Sequence, residues 1–228
     1  MGTILASTII SKAAVQLTDL GNDRWTRPEL LGWLNDAQRQ IVVLSPQTNN
    51  KVEVVQLDAG TRQQIPANGW RFLNAIRYMG TDGTKPGRAI RLVSQELLDA
   101  SDPNWHGAKQ EDTPKNFLFN EQEQDIFYVY PPNTGRGYVQ INYAPVPVDI
   151  TNEASPISVN DIYQTAILDY ILYRACSKDA EYAPGLQLAS GYLSMFMSVF
   201  SSREKTDTTN SPNQKLQQRN PANPGGES

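Results

Sequence analysis

Helical sequence patterns stand at both ends of this chain, and the region between them has the pattern of β-strands. The two most distinctive helical segments are residues 24–41 and 161–182. A chain that begins and ends helical around a β-rich middle must bring its ends together, because neither end has enough apolar surface to fold alone. The sequence therefore predicts an α+β protein, in which the N- and C-terminal helix pairs form a four-helix bundle and an antiparallel β-sheet or sandwich is inserted between them. The predicted divisions are residues 1–50, 51–150, 151–200 and an extended C-terminal segment, 201–228.

The first helix pair is predicted from apolar residues that recur every three or four positions. One helix covers residues 3–20. The second begins near Arg27, where Thr26 and Glu29 have the spacing of a capping box. Ser45-Pro46 ends it, because the residue before a proline disfavours helical geometry. We expect these two helices to form an antiparallel hairpin.

The second pair follows a polar linker and shows the same spacing. One helix is predicted from about Asn160, and Pro184-Gly185 separates it from another helix over residues 186–200. Residues 201–228 then lack large aromatic side chains and are rich in Ser, Thr, Asn, Gln, Pro and Gly. Such a composition cannot bury enough surface to offset the entropy of ordering, so the sequence predicts a disordered segment in the isolated subunit.

The middle region has short stretches rich in β-branched and aromatic residues, separated by Gly, Pro, Asn and Asp. Turn residues at 58–60 and 135–137 predict hairpins. Ser94 has the chemistry of a helix cap, so one short helix is predicted over residues 94–100. The predicted strands cover residues 51–57, a short strand up to Ile65, 73–79, 89–93, 116–119, 126–130 and 138–143.

Charge and composition exclude several classes of protein. The 228 residues carry a net charge of −4 with a pI near 5.1, which argues against a general duplex-binding surface. The negative charge belongs to residues 1–200, since residues 201–228 carry more basic than acidic side chains. A single cysteine excludes an intramolecular disulfide, and no secretory signal or membrane-spanning apolar run is evident. We expect a soluble protein made in a reducing, intracellular compartment.

Catalytic and metal-binding patterns are absent from the sequence. His106 is the only histidine and Cys176 the only cysteine, too few for a histidine-based triad or a zinc site. Gly135-Arg-Gly137 lacks the third glycine of a dinucleotide fingerprint. We therefore predict no enzyme activity, no metal and no cofactor. Trp105 and His106 are expected to pack a loop onto the sheet.

Two sets of basic and aromatic residues are candidates for contact surfaces. The first alternates with apolar residues along predicted strands, which suits either single-stranded nucleic acid or an outward charged face. The second suits either subunit interfaces or pairing between helices, because arginine and aromatic residues are enriched at protein contacts. The first set is Arg71, Arg77, Arg88 and Arg91; the second is Arg24, Trp25, Arg174, Lys178 and Asp179.

Several phrases of the sequence together carry a family likeness that covers about residues 3–200. They are Arg24-Trp25, the run from Glu29 to Arg39, Gly60-Thr-Arg-Gln with Ile65-Pro, Gly87-Arg-Ala-Ile-Arg91, Pro103-Asn-Trp-His106, Phe127-Tyr-Val-Tyr-Pro-Pro132, and the run from Asp169 to Tyr182. On these residues the chain resembles the head-to-tail adaptor, or connector, proteins of tailed bacteriophages, which bind the portal.

The resemblance implies a structural protein of the virion, made in the cytoplasm of the host bacterium, with no membrane partner. Such proteins assemble as a ring, commonly of twelve copies, beneath the portal. The ring extends the channel through which DNA is ejected and provides a platform for tail or nozzle proteins. An acidic body agrees with a lumen that lets DNA pass without specific binding.

The C-terminal segment is expected to order on docking to the portal. Its basic residues are Arg203, Lys205, Lys215 and Arg219. Other possibilities remain open at this point: a neck or tail-completion protein of different stoichiometry, a connector-associated cell-wall hydrolase, or a nucleic-acid-binding module.

Overall fold

The structure is a computed structural model that describes residues 2–178 and 183–210. Within them the protein is α+β, with five α-helices and two β-sheets, which confirms the predicted class. The chain divides into two compact units. The β unit contains Gln38–Asp149 and Ser158–Asn160. The helical unit contains Gly2–Ala37, Ile150–Ile157 and the described residues from Asp161 onward.

Seven strands form the two sheets of the β unit, close to where the sequence predicts them. They are β1 (Lys51–Gln56), β2 (Ala59–Gln64), β3 (Gly69–Tyr78), β4 (Arg91–Leu92), β5 (Asn116–Leu118), β6 (Ile126–Thr134) and β7 (Tyr138–Pro145). One sheet has the order β1-β7-β3 and the other β2-β6-β5-β4. The pairs are antiparallel except for β4 with β5, so the prediction of a wholly antiparallel sheet is wrong at that edge.

The chain passes from one sheet to the other four times, and the first and last of these crossings lie at turns that the sequence predicts as hairpins. β1 pairs with β7, whereas β2, which follows β1 almost directly, pairs with β6. The chain therefore changes sheet between β1 and β2 and between β6 and β7, as it also does on either side of β3. The turns at 58–60 and 135–137 are crossings between sheets, and their prediction as hairpins is wrong. Turn residues set a local bend, but the distant partner of each strand decides which sheet it joins.

Asn133 fixes the turn at 135–137, where the chain crosses from β6 to β7. Its side chain is fully buried, and its Nδ2 donates to the carbonyls of Glu111 and Asp112 at 3.2 and 3.0 Å. Its Oδ1 accepts from the N–H groups of Gly135 and Gly137 at 2.8 and 3.1 Å. A Cβ at Gly137 would lie 2.4 Å from the Asp112 carbonyl oxygen, so this close approach requires glycine.

The core of the β unit is built from the inward-facing residues of both sheets. Phe72 and Phe127 stack at its centre, with ring centroids 4.5 Å apart. Phe117 meets Phe72 edge-on at 5.8 Å. Around these rings lie Leu57, Ile65, Ala75, Ile90, Val129, Val139, Ile141 and Tyr143. This burial supplies the main stabilisation of the unit.

A short helix, α3 (Gln95–Ser101), forms close to the predicted residues 94–100 and lies beside the second sheet. The Ser94 hydroxyl accepts from the N–H of Leu97 at 3.4 Å, which confirms the predicted cap. A separate apolar cluster joins Leu98 of α3 to Trp105 and to Leu118 of β5. Trp105 is almost fully buried, so the prediction that it packs its loop onto the sheet is confirmed.

The helical unit contains α1 (Ala6–Gln16), most of α2 (Arg27–Leu44), α4 (Gln164–Lys178) and α5 (Ala183–Asn210). α4 packs against both α1 and α5. Tyr170 of α4 and Phe196 of α5 are in ring contact at 5.2 Å, and both are buried. The four-helix bundle stays a prediction, since the helix contacts within the described residues centre on α4.

The bounds of two helices, α1 and α5, differ from the prediction. α1 is shorter than 3–20, because the Ile4 carbonyl accepts from the N–H of Ile157 and Thr18 adopts φ +55° beyond the end of the helix. α5 begins before Pro184, which a first helical turn tolerates. It also continues past Phe200 to Asn210, since no Gly or Pro interrupts residues 201–210.

Candidate interface residues

Arg24 and Trp25, two of the predicted interface residues, lie in the turn that precedes α2. The Asp19 carboxylate accepts from the backbone N–H groups of Asp23, Arg24 and Trp25 at 2.9–3.1 Å. These bonds, that from Trp25 foremost, lower the pKa of Asp19. The Arg24 guanidinium lies over the Trp25 ring, 4.9 Å from its centroid. Trp25 is buried within the subunit, so most of its surface already packs internally.

Arg174 and Lys178, on α4, pair with acidic residues of α2 inside the helical unit. Lys178 Nζ lies 2.8 and 3.0 Å from the two carboxylate oxygens of Glu29. Arg174 Nη1 lies 3.5 Å from Asp36 Oδ2. Both basic side chains keep substantial exposure, 39% for Arg174 and 52% for Lys178. They pair between helices and still reach the surface. Asp179 lies outside the described residues.

Two polar contacts of the helical unit were not singled out from the sequence. Asn35 Oδ1 accepts from the N–H of Ile150 at 2.9 Å, and its Nδ2 donates to the carbonyl of the same residue at 3.0 Å. Arg27 makes a bidentate contact with the Glu153 carboxylate. Asparagine is unfavourable inside a helix, so Asn35 in the middle of α2 was the available signal.

The β unit has polar contacts of its own along the last turns of α2. Gln38 is fully buried, and its Oε1 accepts from the N–H of Ser158 at 2.6 Å. Arg39 pairs with Asp149. These contacts explain the polar residues in the run from Glu29 to Arg39: they anchor distant segments of the chain. That run therefore has a structural role in addition to carrying part of the family likeness.

An open cleft of about 870 Å³ lies in the β unit beside α3. Trp105, Leu118 and Tyr128 contribute apolar and aromatic surface, and His106 stacks on Trp105 with centroids 3.6 Å apart. The His106 ring is held by a 2.8 Å hydrogen bond between its Nδ1 and Thr61 Oγ1. Within the described residues, no group of His, Cys, Asp and Glu is placed to hold a metal ion.

Two carboxylates of the cleft accept hydrogen bonds from its aromatic side chains. Trp105 Nε1 donates to Asp99 Oδ1 at 2.8 Å, and the Tyr128 hydroxyl donates to Glu123 Oε2 at 2.9 Å. Burial and then the Glu123 carboxylate raise the pKa of Tyr128. Glu96 also lines the cleft and is exposed. The sequence did not predict this cleft, because its residues come from four separate parts of the chain.

α5 has apolar surface beyond what α4 covers. Ala189 and Phe196 are buried on the line facing α4. Large apolar side chains on both sides of this line are 43–57% exposed, namely Leu186, Leu188, Met195 and Met197. Of the basic residues predicted for the C-terminal segment, Arg203 and Lys205 lie on α5, whereas Lys215 and Arg219 are outside the described residues. Among the described helices, none has both the length and the apolarity that crossing a bilayer requires.

Exposed apolar flanks on a helix are a feature of a protein that acts through contacts with other proteins. A family model described as SU10 adaptor protein matches residues 5–216. The chain belongs to this phage head-to-tail adaptor family. The match confirms the family resemblance that the sequence motifs indicate. Its role is that of a structural adaptor of the phage virion. Comparison with curated proteins gave no match.

Proposed function

We propose that the protein forms a ring of twelve copies beneath the portal, extends the DNA channel and gives tail or nozzle proteins their attachment platform. The observation that carries the proposal is the family match over residues 5–216, which runs through both compact units. In this proposal the terminal helix pairs form a four-helix bundle with the β unit inserted between them.

The apolar flanks of α5 support contacts between subunits. α4 covers only the central line of α5, and four large apolar residues beside that line remain exposed. Apolar helix surface of this kind is stabilised when a neighbouring copy covers it. A ring needs two different contact surfaces on each subunit, and the two flanks of α5 supply candidates for both. Arg24, Trp25, Arg174, Lys178 and Asp179 are proposed to contribute at the edge of such contacts.

Net charge supports a channel that DNA can slide through. Residues 1–200 hold all of the chain's excess negative charge. An acidic lumen repels phosphate, and this repulsion prevents the tight, salt-dependent binding that basic surfaces give.

The C-terminal segment, residues 201–228, is proposed to dock onto the portal. The family match extends to residue 216 and so includes Arg203, Lys205 and Lys215. A basic segment can bind an acidic surface of a partner through charge complementarity.

The first test is the mass of the full-length protein, alone and after mixing with its portal, measured by size exclusion with light scattering. We expect a defined ring of twelve subunits on the portal. A complex of another fixed subunit number would favour the neck or tail-completion alternative. Absence of any complex with the portal would refute the proposal.

A matched pair of variants tests the C-terminal segment. The first replaces Arg203, Lys205, Lys215 and Arg219 by glutamate. The control replaces four basic residues elsewhere by glutamate, namely Lys12, Arg88, Lys109 and Arg136, which are exposed. We expect the first variant to lose portal binding and the control to keep it. Equal binding by both variants would show that the segment's charge is not used.

Two further assays test the two other functions that the sequence leaves open, cell-wall hydrolysis and nucleic-acid binding. A peptidoglycan zymogram is expected to show no clearing. DNA binding is expected to be weak and to lack a steep dependence on salt. Clearing in the zymogram would favour a cell-wall hydrolase, and strong salt-dependent binding would favour a nucleic-acid-binding module.

A further inference from the structure

The cleft beside α3 combines negative charge with exposed apolar surface. Glu96, Asp99 and Glu123 line it, and no lysine or arginine of the described residues does. One cation, Arg62, lies close enough to the Tyr128 hydroxyl to oppose the rise in its pKa. Carboxylates therefore outnumber cations around the aromatic rings. A cationic group entering this cleft would meet both carboxylates and ring faces.

An exposed apolar side chain adds to the same surface. Leu92, on the cleft wall, is 67% exposed. A leucine left this exposed beside an aromatic cleft provides binding surface for an apolar side chain of a partner.

The cleft adjoins a second groove along the edge of a sheet. This groove, of about 330 Å³, is lined by Leu73–Ile76 of β3 and shares Leu92 and Phe119 with the cleft. The outer side of β3 is already hydrogen-bonded at Ile76 and Tyr78 to residues 87–90, so the groove offers side chains to a partner and not a free strand edge. The cleft and the groove together are longer than a compact small molecule needs.

We propose that the cleft and the adjoining groove of the β unit form a docking site for an extended segment of a partner protein. In this segment arginine or lysine alternates with large apolar side chains. The cations pair with Glu96, Asp99 and Glu123 and lie against the rings, while the apolar side chains cover Leu92. Charge complementarity selects this occupant, since the same carboxylates repel nucleic-acid phosphates and acidic peptides. The site goes beyond the adaptor role and does not depend on ring formation.

The test is a titration of the full-length ¹⁵N-labelled protein, followed by NMR, with three acetylated and amidated peptides. The first is Gly-Arg-Leu-Arg-Leu-Gly. The second has Glu in place of Arg, and the third has Ser in place of Leu. The Trp105 indole N–H is the reporter, because it donates to the Asp99 carboxylate inside the cleft. Trp105→Phe assigns its signal among the four tryptophans.

We expect the Arg/Leu peptide to shift the Trp105 signal and to bind more weakly as salt is added. The Glu/Leu peptide is expected to leave the signal in place, and the Arg/Ser peptide to bind about fivefold more weakly. An unmoved signal with the first peptide at millimolar concentration would overturn the proposal. Equal binding of the Arg/Ser peptide would also overturn it, because the site would then be a general cation attractor.

A matched pair of variants places the binding in the cleft. Glu96→Lys reverses an exposed carboxylate of the lining, and Asp58→Lys reverses an exposed carboxylate of the same unit outside it. We expect Glu96→Lys to weaken binding about fivefold and Asp58→Lys to change it less than about twofold. Leu92→Ser tests the apolar part with the same peptide and is expected to weaken binding. Equal effects of the two lysine substitutions would refute the placement.

Discussion

Replacing Asn133 by alanine removes the side chain that fixes the crossing from β6 to β7. Its amide group makes four hydrogen bonds to backbone groups, those of Glu111, Asp112, Gly135 and Gly137. Each hydrogen bond contributes about 0.5–1.5 kcal/mol, and a buried group left unpaired costs about 1–3 kcal/mol. The side chain is fully buried, so water cannot easily replace the lost partners. We expect Asn133→Ala to lower the free energy of unfolding by about 3–5 kcal/mol.

The assay is urea unfolding followed by far-UV circular dichroism. Asn104→Ala is the matched control, because Asn104 is an exposed asparagine of the same unit, and we expect it to change stability by less than about 0.5 kcal/mol. Amide hydrogen exchange gives a local readout: in Asn133→Ala the N–H groups of Gly135 and Gly137 are expected to lose protection before the rest of the sheet. A loss below about 1 kcal/mol, with protection unchanged at both glycines, would show that the crossing is held by strand pairing alone.

Two further predictions concern charged groups of the helical unit. Lys178→Glu is expected to cost about 0.3–1 kcal/mol, because the pair with Glu29 is partly exposed, and the added change Glu29→Lys is expected to restore the loss in a double-mutant cycle. If Lys178→Glu instead blocks ring assembly and Glu29→Lys does not rescue it, Lys178 acts at a subunit interface. Asp161 accepts hydrogen bonds from the side chain and N–H of Thr3, which lower its pKa. Its stabilisation is therefore present above the ordinary aspartate pKa of about 3.9 and lost as pH falls through the lowered value. The stability difference between wild type and Asp161→Ala should shrink over that acidic range, and a difference independent of pH would contradict this assignment.

The strands and the short capped helix could be predicted from sequence because their signals are local. The Ser94 cap depends on one hydroxyl and the N–H three residues later, and the strand β7 depends on its own alternation of side chains. The crossings between sheets depend on which distant strand each segment pairs with. Gly135 and Gly137 indicate a turn equally well in a hairpin and in a crossing, so the sequence alone could not distinguish them.

The cleft was missed for a related reason. Its carboxylates lie at positions 96, 99 and 123, where sequence spacing suggests only solvated charge. The fold brings them beside Trp105 and Tyr128, and hydrogen bonds to these rings fix two of the three. A tryptophan next to the only histidine and close to a capped helix was the one local signal, and it indicated packing. Packing of Trp105 is what creates the cleft wall.

Assembly and partner binding are proposed to use different units, and this separation makes them testable apart. The exposed apolar flanks of α5 belong to the helical unit, whereas the acidic cleft belongs to the β unit. The first surface is mainly apolar, so contacts through it should be insensitive to salt. The second depends on carboxylates and should weaken as salt is added. A ring that persists at high salt while peptide binding is lost would therefore assign the two interactions to separate surfaces of the same subunit.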